Sequence, residues 1–194
     1  MKVKLKNLVT VQTGYSFRSR LDASEDGELS VIQMKDLLAD NTVSCDDLLK
    51  ISMSEVKSHH LVRMGDLVFR SRGLITSSAI MCDDPGPAVV AAPLLRIRVK
   101  DTGRVLPEYL NWFLSQRDAQ AFFASQATGT AQKMVGKEVI EDLDVFLPPL
   151  AKQKAIIEMA VLSDREAGLL RTIAEKKAQY VSNLLMQAAK GELK

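Results

Sequence analysis

Residues 147–190 read LPPLAKQKAIIEMAVLSDREAGLLRTIAEKKAQYVSNLLMQAAK, and the reading of this stretch decides the fold. Pro148 and Pro149 close off what precedes them, because each fixes φ and drives the residue before it out of the helical region. Beyond them no proline occurs, and Gly168 is the one glycine inside the stretch. An unbroken helix over these residues would be about 60 Å long at about 1.5 Å per residue, longer than the small domain before it is wide. Its apolar residues fall on two adjacent lines. Leu162, Leu169, Ile173 and Tyr180 mark the first; Leu170, Ala174, Val181, Leu184 and Ala188 mark the second. Arg165, Glu166, Arg171, Glu175, Lys176 and Lys177 interrupt or flank them. A double line is wider than a two-stranded coiled-coil seam. It suits a helix that packs against another long helix and also against a further partner. Gly168 leaves open whether the stretch is one helix or two.

A chain of 194 residues holds one good-sized domain plus an extension. Hydrophobic residues at 46% and charged residues at 26% describe an ordinary globular protein rather than a disordered one. No apolar run is long enough to cross a membrane, and MKVKLKNLV at the start lacks the apolar core of a signal peptide. The two cysteines, Cys45 and Cys82, stand at no metal or disulfide spacing. Cytoplasmic residence with no membrane partner is the expectation. The net charge of +2 is too small to announce a nucleic-acid binder, but its distribution is uneven. Residues 151–194 carry eight Lys/Arg against five Asp/Glu, whereas residues 1–150 carry eighteen against nineteen. Within that neutral part, residues 1–20 hold Lys2, Lys4, Lys6, Arg18 and Arg20 with no acid, so a phosphate-binding face can be assembled locally.

Ahead of the prolines the pattern changes to short strands. Residues 2–13 alternate apolar and polar positions up to Gly14, and Leu29 to Met34 reads as a buried strand. Met64-Gly65-Asp66 is a turn between Val62 and a strand at residues 67–71; Arg72-Gly73 turns the chain back into a strand at residues 74–81. Two more strands, residues 89–92 and 94–99, are divided by Pro93, which a central strand would not accept. Pro107 opens a helix carrying Tyr109, Leu110, Trp112, Phe113 and Leu114, continuing or restarting through Ala119, Phe122 and Phe123. A short helix at residues 136–143 and a last strand at 143–147 complete the domain. The expected class is α+β: a small mixed, mostly antiparallel domain over residues 1–147, then a long C-terminal helix over residues 148–194 acting as a coiled-coil-like spacer.

Groups able to carry chemistry are scarce. His59 and His60 are neighbours with no cysteine or carboxylate at zinc-ligand spacing. No glycine-rich cofactor loop, Walker A loop or nucleophile elbow occurs. Glu55-Val56-Lys57, with Asp46 or Asp47 upstream, has only the bare outline of a nuclease metal site. The expectation is a binding protein with no catalytic, cofactor or metal residues. Three loops hold groups suited to nucleic acid: Tyr15 to Arg20, with Tyr15, Arg18 and Arg20; Arg70-Ser-Arg-Gly73, with Arg70 and Arg72; and Thr128 to Lys133, with Thr128, Thr130, Gln132 and Lys133. Lys35, at the end of the 29–34 strand, joins the set. Arginine can fork to guanine and glutamine to adenine in the major groove, while lysine, serine and threonine more often hold phosphates.

Together these pieces resemble the specificity subunit of type I restriction-modification systems, in a half-length form. Leu147-Pro-Pro-Leu-Ala-Lys-Gln-Lys154 resembles that family's Leu-Pro-Pro-Leu-x-Glu-Gln-x, with Lys152 where glutamate is usual. Gly129-Thr-Ala-Gln-Lys133 and Gln187-Ala-Ala-Lys-Gly-Glu-Leu193 resemble the segments on either side of it. Val3-Lys-Leu-Lys-Asn-Leu-Val, Thr13-Gly14 and the Asp66–Gly73 hairpin resemble the opening of the repeating unit, so the likeness runs from about residue 3 to residue 193. A full-length member has two units of target recognition domain plus conserved helix, whereas one is present in this sequence. The resemblance implies a non-catalytic reader of double-stranded DNA that pairs with itself as a homodimer, or with a second half-subunit, through Leu162, Leu169, Leu170, Ile173, Tyr180, Val181 and Leu184. It further implies DNA adenine methyltransferase subunits, which would carry the S-adenosylmethionine, and a restriction motor-nuclease subunit as partners. A different reading fits the near-neutral domain: a protein-protein interaction module with a helical docking arm and no DNA binding.

Overall fold

The structure, a computed structural model, describes residues 1–17, 23–24, 27–53, 56–73, 76–129 and 133–191. It divides into two compact units, Met1–Lys154 and Ala155–Lys194.

In the first unit the elements follow in the order β1 (Lys2–Lys4), β2 (Val9–Thr13), β3 (Leu29–Ile32), β4 (Leu49–Ile51), β5 (Leu67–Arg70), β6 (Ser77–Ile80), β7 (Ala88–Val90), β8 (Leu94–Val99), α1 (Pro107–Leu114), α2 (Arg117–Gln126), α3 (Lys137–Glu141) and β9 (Asp144–Phe146). Helix α4 (Leu150–Ala189) follows. The class is α+β, as the sequence patterns indicate.

Residues 2–13 are not one strand. A single 3-10 turn at Leu5–Asn7 divides them, so β1 pairs antiparallel with β9 while β2 enters a different sheet. Leu5 is fully buried at that turn and its N–H donates to the Leu143 carbonyl. Apolar alternation runs through both strands unchanged, so it cannot report the change of sheet.

The larger sheet runs β2-β8-β5-β6 and is antiparallel throughout. A three-stranded sheet runs β4-β3-β7, with β3 antiparallel to β4 but parallel to β7. Strand β3 explains its own continuous apolar run. Successive side chains on a strand point to opposite faces, and here Leu29 and Val31 join one buried cluster with Val89 and Ile51 while Ile32 joins another with Val68, Met81 and Val90. Both faces are covered. Helix α1 buries Tyr109, Leu110, Phe113 and Leu114, and α2 sets the Phe123 ring edge-on to Phe69 of β5 at 5.2 Å. The helical run from Pro107 restarts after Ser115 and Gln116. Of the strand expected at residues 74–81, Ser77–Ile80 is strand, and residues 74–75 lie outside the described residues.

In the second unit α4 is continuous through Gly168. Leu162, Leu169, Leu170, Ile173, Tyr180 and Val181 are between 45% and 64% exposed along it. No helix of the described residues is long and apolar enough to cross a membrane.

Candidate nucleic-acid interface

The arginine-bearing hairpin end and the threonine-rich segment are far apart in sequence yet joined in space. Arg72 bridges to Met134, and Met134 bridges in turn to Thr128, both antiparallel. Four main-chain hydrogen bonds hold the three segments: Gly73 N–H to the Lys133 carbonyl at 3.1 Å, Val135 N–H to Ser71 at 2.8 Å, Thr128 N–H to Met134 at 3.0 Å and Met134 N–H to Thr128 at 2.8 Å. Ser71 Oγ donates to the Pro93 carbonyl at 2.7 Å, tying this corner to the β7–β8 turn. Backbone pairing of this kind fixes where side chains emerge more firmly than a solvated loop can. Arg72, Thr128 and Lys133 emerge exposed.

The two arginines differ. Arg70 is half-buried, its Nε donates to the Arg72 carbonyl at 3.3 Å, and its guanidinium lies over Gly73. Gly73 sits at φ +127°, where a side chain would be strained and would press against that guanidinium at 3.2 Å. Arg70 therefore braces the turn from which Arg72 projects.

Tyr15 and Lys35 also come together. Gly14 brings β2 so close to the β7–β8 turn that a Cβ would stand 2.7 Å from the Ala91 and Leu94 backbones. Tyr15 then bridges to Ala91 in parallel and exchanges hydrogen bonds with Val90 and Ala92. The result is a cleft of about 630 Å³ between Tyr15–Phe17 and Gln33–Lys35, floored by Ala91 and Ala92. A second cleft of about 300 Å³ shares Ser16 and Ala92 with the first and reaches Ser71 and Met134. Between them the two clefts are lined by residues from Lys35 to Ser71 and Met134. Arg18, Arg20, Thr130 and Gln132 lie outside the described residues. Met34, Ala92 and Lys137 line the face without having been singled out in sequence. The one signal for Met34 was its place at the end of a buried strand.

A polar network lies against Tyr15 through His60. Arg96 is buried, donating to the Leu61 carbonyl at 2.8 Å and to Gln12 Oε1 at 2.9 Å. Gln12 Nε2 lies 3.0 Å from His60 Nδ1, and the His60 ring meets the Tyr15 ring edge-on at 5.3 Å. Burial first, then His59, Arg96 and Lys57, hold the His60 pKa below its ordinary value. Burial likewise pushes the Cys45 and Cys82 thiols up, away from the reactive thiolate. Among the described residues no His, Cys, Asp and Glu are grouped to hold a metal ion.

The family model described as type I restriction modification DNA specificity domain matches residues 1–178. No curated protein matches the chain. Among solved structures, the HsdS subunit from Thermoanaerobacter tengcongensis is similar at 19% identity and a TM-score of 0.67, covering 100% of this chain and 45% of that one. A chain from a type I R-M system structure concerned with complex assembly and conformational transition is similar at 19% identity and a TM-score of 0.74, covering 100% and 46%. The type I restriction-modification S subunit from M. genitalium follows at 11% identity and 0.57, covering 96% and 45%. At these identities the likeness is one of fold. The chain spans less than half the length of the solved structures it matches.

Proposed function

The chain belongs to the family of type I restriction modification DNA specificity domains, and from that premise we propose that it is a non-catalytic reader of double-stranded DNA. In this reading residues 1–147 are a target recognition domain and residues 148–194 a helix for pairing and docking. The observation that carries it is the backbone joining of the Arg70–Gly73 turn to the Thr128–Val135 segment, which presents Arg72, Thr128 and Lys133 from one fixed corner. Arg72, Thr130 and Gln132 read base edges, and Lys133, Lys35, Arg18 and Arg20 hold phosphates.

One recognition domain reads a short word. A second copy of the chain, paired through α4, supplies the other half, and two-fold protein symmetry then calls for a symmetric, interrupted DNA site. Two apolar lines on the helix support this reading, one for the partner helix and one for a DNA adenine methyltransferase subunit. S-adenosylmethionine chemistry resides in that subunit, and cleavage in a motor-nuclease subunit.

The test is selection from a random duplex pool by the complex assembled with methyltransferase. Two inverted copies of one short word at fixed spacing are expected. Enrichment of two unrelated words would replace the identical partner by a different half-subunit. Absence of any enriched word would favour an interaction module that does not bind DNA.

A further inference from the structure

We propose that the cleft between Tyr15–Phe17 and Gln33–Lys35 reads a thymine through its C5-methyl group, an assignment that rests on the DNA-recognition reading. The lining is the argument. Tyr15 and Phe17 form one wall, their ring centroids 4.9 Å apart, with their backs against a buried apolar cluster. Met34 forms the other wall and is 41% exposed. The small side chains of Ala91 and Ala92 make the floor, so an incoming group can approach the backbone closely. Among the described residues Lys35 alone brings a full charge to the lining, at a position to meet a phosphate.

Such a lining suits one feature of a duplex. In the major groove thymine's methyl is the apolar group among base edges that otherwise offer donors and acceptors. A cytosine amino group turned onto Met34 and the Phe17 ring would lose its water without gaining a partner from either, and an unsatisfied buried donor is costly; the polar groups of the lining are Ser16, Gln33 and the Tyr15 hydroxyl. Methionine's unbranched, polarizable side chain adapts to a small apolar guest. Ser16 and Ala92 line both this cleft and the neighbouring one that reaches Ser71 and Met134, next to the corner bearing Arg72 and Lys133.

Deoxyuridine removes that methyl and nothing else. With the selected duplex and the assembled complex, each thymine is replaced in turn by deoxyuridine and affinity is measured. One position per half-site is expected to lose about fourfold, the worth of one buried methyl. Met34→Ser, at an exposed position, should erase that difference, so that the thymine and deoxyuridine duplexes bind alike. Lys35→Ala should weaken both duplexes equally. A selected site in which no thymine is sensitive, or a sensitivity that Met34→Ser leaves intact, would overturn the assignment while leaving DNA recognition standing. Failure of the wild-type complex to select any duplex would overturn the recognition reading and this assignment with it.

Discussion

Gln153 caps Leu106: its Oε1 accepts the Leu106 N–H at 2.9 Å, while its Nε2 donates to the Arg104 and Pro148 carbonyls, each at 2.9 Å. The side chain is fully buried, and it ties the loop entering α1 to the double proline and the first turn of α4. Gln153→Leu would take this partner from three backbone groups around a fully buried side chain. With about 1–3 kcal/mol for each such group and partial relaxation, a loss of about 3 kcal/mol is expected. Denaturant unfolding of the full chain measures it. A loss under about 1 kcal/mol would mean that water or backbone movement replaces the glutamine.

Asp66, 1% exposed, receives Arg98 in a forked pair at 2.6 Å from Nε and 2.6 Å from Nη2, and also accepts the Arg63 N–H. Removing one member of a buried pair strands the other. Arg98→Met, which strands the Asp66 carboxylate, should therefore cost about 3–5 kcal/mol, more than Asp66→Ala, which leaves an arginine that is 22% exposed and still donates to the Leu61 carbonyl. Paired unfolding curves check the order of the two.

His60 gives the fold an acid-sensitive element. Gln12 Oε1 is occupied by Arg96, so the Gln12 amide nitrogen must donate to His60 Nδ1, which requires that atom unprotonated. The folded pKa of His60 is lowered by burial, then by His59, Arg96 and Lys57. The unfolded chain therefore takes up the proton first as pH falls through the ordinary histidine value of about 6.5. Stability is fully present above that pH, declines below it, and levels off once the folded pKa is passed. His60→Gln should remove this component from the pH dependence of the unfolding midpoint. Superimposable profiles for the two proteins would contradict it.

Base and phosphate contacts separate in their effects. Arg72→Ala should relax preference at one position of the half-site by about 1–3 kcal/mol. Lys133→Ala should weaken all duplexes alike and lower the slope of log affinity against log salt by about one. Binding of a half-site variant library at several salt concentrations reads both. Arg70→Ala is expected to act on Arg72 through the turn it braces, lowering stability as well as selectivity.

Much of this was legible in the chain. Pro93 and Pro107 punctuate the structure where proline chemistry says they should, and α4 follows from proline absence and periodicity alone. What could not be read is register. The bridge from Arg72 to Met134 joins loops whose local sequence says only that each is a turn. The parallel partner of β3 is likewise invisible to a pattern that reports burial on both faces and no direction. Gln153 looks like any helix-surface amide until Leu106, Arg104 and Pro148 are found around it.

The two apolar lines of α4 predict separable defects. Leu170, Ala174, Val181, Leu184 and Ala188 form a heptad seam broken only by Lys177, and its alanines allow close approach of a second helix. Leu170→Glu with Val181→Glu should abolish self-pairing, because four apolar side chains per dimer lose their burial. At about 1.5 kcal/mol or more for each, the dissociation constant would rise by about ten thousandfold or more. Leu169→Glu with Ile173→Glu should leave the dimer mass unchanged and instead weaken methyltransferase docking. Light scattering of each variant, alone and mixed with methyltransferase, decides. A wild-type chain that stays monomeric in both samples would remove the basis for a symmetric DNA site. Equal loss of dimer in both variants would mean that the two lines form one broad interface, with methyltransferase seated elsewhere.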